Sequence, residues 1–184
     1  MKKNICLTIT AALWLLLFTT YTANAQVVYL DAGEKVDNYP KVEWLRGVPL
    51  ERFEKDKIYV IELWATWCRP CIEALPHLSD LESKFGDKVV FIGQNVMDPD
   101  ISKVKAFIAR NEKLMKYNIA YGGMEDSDFY KNWMKPSATI GIPRTFVIQN
   151  NTLVWMTSPS ELNERVLQLL VDKKFNIEAA QKLK

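Results

Sequence analysis

An apolar, β-branched run ends at Trp64, and three residues later the chain reads Trp67-Cys68-Arg69-Pro70-Cys71 before a helical apolar pattern begins. This junction constrains the fold more than any other feature. The run Ile58-Tyr59-Val60-Ile61-Glu62-Leu63-Trp64 is bounded by charges and reads as a buried central strand, with Glu62 as its exception. From Cys71 to Phe85, residues Ile72, Leu75, Leu78, Leu81 and Phe85 fall on one side of a helix. Pro76 inside that helix is expected to kink it, and Gly86 to stop it. The chain therefore runs strand, tight loop, helix, with two thiols at the helix start. Thiols at this spacing can close a small disulfide ring and open it again. The unpaired N–H groups and the dipole of a helix N-terminus favour thiolate. The pair reads as a redox site.

Cysteine usage points the same way. The remaining cysteine, Cys6, sits in an N-terminal stretch that opens Met1-Lys2-Lys3, runs apolar from Ile5 to Phe18 and reaches Ala23-Asn24-Ala25. A positive start, a short apolar core and a small-x-small site predict a cleaved secretory signal peptide over residues 1–25. The apolar run is short for a membrane span. Cys6 precedes most of that run and is not placed like a lipid acceptor. The signal holds two lysines and no acid, so its removal takes the net charge from +2 to about zero. No basic surplus then remains to suggest nucleic acid or an anionic membrane as a partner. The remaining length suits one domain with a proper core, which does not need disulfides to fold. Two cysteines in such a chain are expected to be catalytic.

No internal repeat or low-complexity stretch interrupts the sequence. Residues 26–41 look like an irregular lead-in, with a short strand expected over Val42–Leu45. Lys88–Gln94 is the next strand; a helix should start at Asp98-Pro99-Asp100 and carry Val104, Phe107 and Ile108 as its apolar stripe. Tyr117–Tyr121 is a further strand candidate. Asp126–Met134 is expected to be a short helix that buries Phe129, Tyr130 and Trp133. Thr145–Ile148 and Leu153–Met156 are strands joined through Asn150-Asn151, residues that tolerate positive φ. Ser160 is expected to cap a last helix carrying Leu162, Val166, Leu169 and Leu170. The tail, 172–184, is charged. Strands alternating with helices, then a hairpin and a helix, predict an α/β fold with a mixed sheet.

Trp64-Ala65-Thr66-Trp67-Cys68-Arg69-Pro70-Cys71, then Pro76, then Gly141-Ile142-Pro143-Arg144-Thr145-Phe146, resembles the thioredoxin-like superfamily, and within it the exported TlpA/ResA-type branch. The resemblance covers roughly Val42 to Leu170. It implies a thioredoxin-like domain over 42–171, a mixed central sheet flanked by helices, with a central insertion at about 98–125. It further implies that Cys68 is an exposed nucleophile and Cys71 a buried resolving thiol. Glu62 matches the buried acid beneath the cysteines and would exchange a proton with Cys71; an edge position in solvent is the alternative. Pro143 matches the superfamily's cis-proline, and Ile142 would offer its backbone to an extended client segment. Trp67, Arg69 and Pro70 complete the expected client-facing set.

The resemblance implies a periplasmic reductase of disulfides in exported proteins, fed by a membrane dithiol donor and using no cofactor or metal. Oxidase or isomerase chemistry is the other direction of the same site. Trp133-Met134 and Trp155 fit packing as well as function. The one histidine, His77, reads as a surface residue. Two cysteines and one histidine are few for a zinc site, and Ile72 stands where haem attachment needs a histidine. Two further classes compete. A peroxidase would use Thr66 and Arg144 around a peroxidatic cysteine. A non-enzymatic binding module would need neither cysteine.

Overall fold

The computed structural model describes residues 29–183. The predicted signal peptide lies outside them. Six strands form one sheet: β1 (Glu43–Arg46), β2 (Ile58–Trp64), β3 (Val89–Asn95), β4 (Asn118–Tyr121), β5 (Arg144–Gln149) and β6 (Thr152–Thr157). Their spatial order is β1-β4-β3-β2-β5-β6. The inner pairs β2–β3 and β3–β4 are parallel, while β1–β4, β2–β5 and β5–β6 are antiparallel. This is the mixed, helix-flanked sheet of a thioredoxin-like fold. Among the described residues four α-helices accompany it: α1 (Arg69–Phe85), α2 (Ile101–Arg110), α3 (Glu164–Val171) and α4 (Ile177–Gln181).

β2 is central and buried along its whole length, which is why it reads as a continuous apolar run. Its parity divides the core. Val60 and Trp64 face α1 and pack with Cys71, Leu75, Leu78, Phe91 and Val147. Ile61 and Leu63 face the other way, into a cluster with Tyr39, Phe53, Phe129, Trp133 and Phe146. Glu62 shares the parity of Val60 and Trp64 and therefore points to the α1 side.

Several boundaries move. The helix begins at Arg69, not Cys71, because Pro70 is at home in a first turn whose N–H groups have no partner. It continues through Pro76 to Phe85. The expected helix over Asp126–Met134 is a wider turn, Tyr130–Met134, in which the Lys135 N–H reaches back five residues to the Tyr130 carbonyl. That spacing buries Phe129, Trp133 and Met134, leaving Tyr130 half-buried. Ser160 does not cap the last long helix. It lies in a single 3-10 turn, Pro159–Glu161, and Asn163 caps α3 by accepting the Val166 N–H. The hairpin turn is as expected, with Asn150 at φ 52° and Asn151 at φ 55°.

The described part of the lead-in forms no helix or strand, but it is tied to the domain. Lys35 bridges to Thr152 and Asn38 to Arg52, and Leu30, Val36 and Tyr39 are buried. These residues cover the sheet face opposite α1. Residues 98–125 hold α2 and β4, and β4 sits between β1 and β3 in the sheet. The tail ends in α4, capped by Asn176 and anchored by the fully buried Ala180. Among the described residues no helix is long and apolar enough to cross a membrane.

Candidate redox site

Cys68 and Cys71 are joined by a disulfide. Cys68 is the N-cap of α1, and its sulfur accepts the Cys71 N–H at 3.3 Å. The helix start thus places a backbone donor on the sulfur, where it would stabilise a thiolate in the reduced state. The expected contrast in exposure is absent from this oxidised form: Cys68 is 3% exposed and Cys71 2%. The Cys68 sulfur is folded over the helix start by its bond to Cys71, so position and not exposure distinguishes the two. Cys71 Sγ lies 3.9 Å from the carbonyl oxygen of Leu63, which places it over the end of β2.

Glu62 is 4% exposed on that same strand. In register it faces Gly93 of β3 and Thr145 of β5. The Thr145 hydroxyl donates to Glu62 Oε2, and Oε1 has no hydrogen-bond partner. Burial pushes the Glu62 carboxyl well above the usual carboxylate range, and the Thr145 bond offsets only part of that. Gly93 is a glycine for a local reason. A Cβ there would meet Tyr117 Cε2 at 2.9 Å and Trp64 Nε1 at 3.2 Å. Two rings therefore close over the strand beside Glu62. Burial also raises the Tyr117 phenol, with the Glu62 charge adding to it.

The raised carboxyl gives a prediction with a definite sign. Folded Glu62 keeps its proton in a pH range where the unfolded chain has lost it, because an unperturbed Glu titrates at about 4.3. The folded state then binds more protons than the unfolded one, so its relative stability falls as pH rises from about 4.3 through the raised folded value. Glu62→Gln should therefore gain on the parent chain by up to about 1.4 kcal/mol per pH unit across that window. Below about pH 4 the advantage should stop changing. Urea unfolding at a series of pH values checks this; two curves that stay parallel would contradict it.

The remaining expected residues lie around the disulfide. Trp67 is 59% exposed, and its indole N–H donates to the Met97 carbonyl at 3.0 Å. Arg69 is exposed and pairs with Glu73 at 2.8 Å on the helix surface. Ile142 and Pro143 are half-buried, and the bond between them is cis. Pro70 and Pro143 come together in one groove of about 410 Å³, which Ala74, His77 and Pro159 also line. His77 is not a free surface residue: its Nε2 lies 2.7 Å from the Leu162 carbonyl oxygen. Arg144 opens β5 opposite Leu63.

Thr145 and Asp98 belong to the site as well, although the sequence places them only in a strand and at a helix start. Thr145 follows Pro143 by two residues, and only strand register reveals that it meets Glu62. Asp98 accepts both the N–H and the hydroxyl of Thr66, each at 2.8 Å. The signal available for Asp98 was the polar stretch Gln94-Asn95 closing an otherwise apolar strand.

The Redoxin family model matches residues 46–165, about two thirds of the chain. Protein FixW of Rhizobium leguminosarum is 28% identical over 159 residues, covering 84% of this chain and 72% of that protein. The thiol-disulfide oxidoreductase ResA of Bacillus cereus is 25% identical over 182 residues, covering 94% of this chain and 98% of that protein. Among solved structures, a putative thiol:disulfide interchange protein DsbE from Chlorobium tepidum superposes with a TM-score of 0.61 at 18% identity, over 79% of this chain and 99% of that one. This last likeness bears on the fold.

Proposed function

From a chain that belongs to the Redoxin family and is a thiol-disulfide oxidoreductase within it, we propose a periplasmic reductase of disulfides in exported proteins, recharged by a membrane dithiol donor. The observation that carries this reading is the Cys68–Cys71 disulfide at the start of α1, on the sheet face that also buries Glu62. The composition of residues 1–25 supports export.

In the proposed cycle, the reduced Cys68 thiolate attacks one sulfur of a client disulfide. The client S–S bond breaks and one client sulfur leaves as thiolate, to be protonated. Cys71 passes its proton to Glu62 in its ionised form, and the raised proton affinity of this buried carboxylate suits it as the acceptor. The Cys71 thiolate then attacks Cys68 Sγ, releasing the second client thiol and forming the Cys68–Cys71 disulfide. Two electrons have moved from the chain to the client, and the membrane dithiol returns them. The groove between Pro70 and Pro143 suits an extended client segment, with the backbone of Ile142 pairing to it; Trp67 and Arg69, exposed on either side of Cys68, complete the client-facing set.

A peroxidase has less support, because the Thr66 hydroxyl it would need is engaged by Asp98. A binding module leaves the redox pair and the buried acid without a use.

Cys71→Ser tests the reductase reading. The variant should stop after the first attack and accumulate mixed disulfides between Cys68 and exported proteins. Non-reducing gels followed by mass spectrometry would reveal them. A variant that captures no exported protein would defeat the client assignment.

A further inference from the structure

Asp98 lies three residues beyond β3 and is 4% exposed. Its carboxylate accepts three hydrogen bonds. Oδ2 takes the Thr66 N–H and the Asn95 Nδ2, and Oδ1 takes the Thr66 hydroxyl, all at 2.8 Å. Thr66 is two residues ahead of Cys68. The next residue, Trp67, is tied to the neighbouring carbonyl, that of Met97. Both residues that lead into the redox pair are therefore held by one turn, Met97–Asp98.

That turn is itself fixed. Met97 sits at φ 59°, a left-handed conformation that a residue with a Cβ keeps only where its surroundings hold it. Its N–H donates to the Gly123 carbonyl at 2.9 Å. The Asp98 carbonyl accepts the Tyr121 hydroxyl at 2.8 Å, and the Asn95 carbonyl accepts the Gly122 N–H at 2.8 Å. On the loop's other flank, the Cys68 N–H donates to the Ala65 carbonyl at 3.1 Å. The segment 65–68 is thus clamped between the ends of β2, β3 and β4. A carboxylate suits this place, because it is the side chain that only accepts and can serve three donors at once.

We propose that Asp98 is a positioning residue of the redox site: through Thr66 it fixes where Cys68 lies over the start of α1. The inference rests on the dithiol chemistry above but concerns how the attacking sulfur is placed. A slackened loop lets the Cys68 sulfur leave the Cys71 N–H, and the thiolate loses the donor that favours it.

Site-resolved mass spectrometry of iodoacetamide labelling, on the reduced full chain across a pH series, reads this directly. Asp98→Ala should move the midpoint for Cys68 labelling up by about one pH unit and slow labelling near neutrality by up to about tenfold. Asp98→Asn should stay within about twofold of the parent. Its amide oxygen can accept from the Thr66 N–H and Asn95, and its NH₂ can donate to a Thr66 hydroxyl that turns acceptor. Thr66→Val removes only the hydroxyl of a half-buried residue and should shift the midpoint by an intermediate amount. If Asp98→Ala does not fold, Thr66→Val and Asp98→Asn decide the matter alone. A parent-like midpoint in Thr66→Val, or an Asp98→Asn chain that shifts as far as the alanine variant, overturns the proposal. The assay needs no client, so a parent chain that reduces no protein disulfide would overturn the reductase reading without touching this one.

Discussion

Cys68→Ser loses dithiol turnover altogether, a fall on the order of 10³-fold or more in the reduction of a model disulfide. The size of the loss follows from the site having one entry point. Cys68 caps α1 and receives the Cys71 N–H, whereas Cys71 sits inside the first turn against the Leu63 carbonyl. Serine at position 68 preserves the cap, since a hydroxyl accepts that N–H as well as sulfur does. The fold should therefore survive, and the loss can be assigned to chemistry. The check is insulin reduction at fixed enzyme concentration, with thermal unfolding measured alongside. Turnover retained above about a tenth of the parent's would mean that Cys71 attacks clients by itself and that the roles are reversed.

Trp133→Ala should be the most damaging of the single substitutions away from the cysteines. Trp133 is 3% exposed, and its ring lies 5.3 Å from Phe146, 5.6 Å from Phe129 and 5.9 Å from both Tyr39 and Phe53. It joins the lead-in, β5 and the Tyr130–Met134 turn into one cluster on the face opposite α1. Truncating a buried tryptophan costs about 3–5 kcal/mol where neighbours cannot collapse into the space. Rings held by three separate segments have little freedom to do so. In a domain of this size that corresponds to a fall in Tm of about 6–20 °C. Because the cluster and the disulfide lie on opposite sheet faces, the folded variant should keep the parent's labelling rate at Cys68. Calorimetry and iodoacetamide kinetics on one sample separate the two effects. A Tm unchanged within a degree or so would mean the face is loosely packed.

The strand–loop–helix around the cysteines was legible because its signals are local. β2 is buried on both faces and so reads as an apolar sequence broken only by Glu62. The first turn of α1 tolerates Pro70, and Asn150-Asn151 accept positive φ without help from the rest of the fold. Glu62 stood out because a charge in such a run demands an explanation. What escaped notice depends on contacts between distant segments. Thr145 meets Glu62 across 83 residues, Asp98 meets Thr66 across 32, and Tyr39 donates to Gln94 across 55. Apart from Glu62, none of these residues is unusual where it stands; register and loop packing bring them together. The lead-in is irregular as expected, and its buried side chains escape local reading for the same reason. Its polar composition hides Leu30, Val36 and Tyr39, which have no periodicity of their own and are buried by the sheet they cover. Ser160 and Asn163 show the limit of local rules: both are good capping residues, and the Pro159–Glu161 turn delays the helix until the second.

The reduction potential of the Cys68/Cys71 pair, measured by equilibrating the protein in graded thiol buffers, tests the central claim most directly. A reductase that depends on a dedicated donor should equilibrate near the thioredoxin value, about −270 mV. A potential near that of a strong oxidant, about −120 mV, would mean that the chain makes disulfides and that the proposed direction of electron flow is wrong.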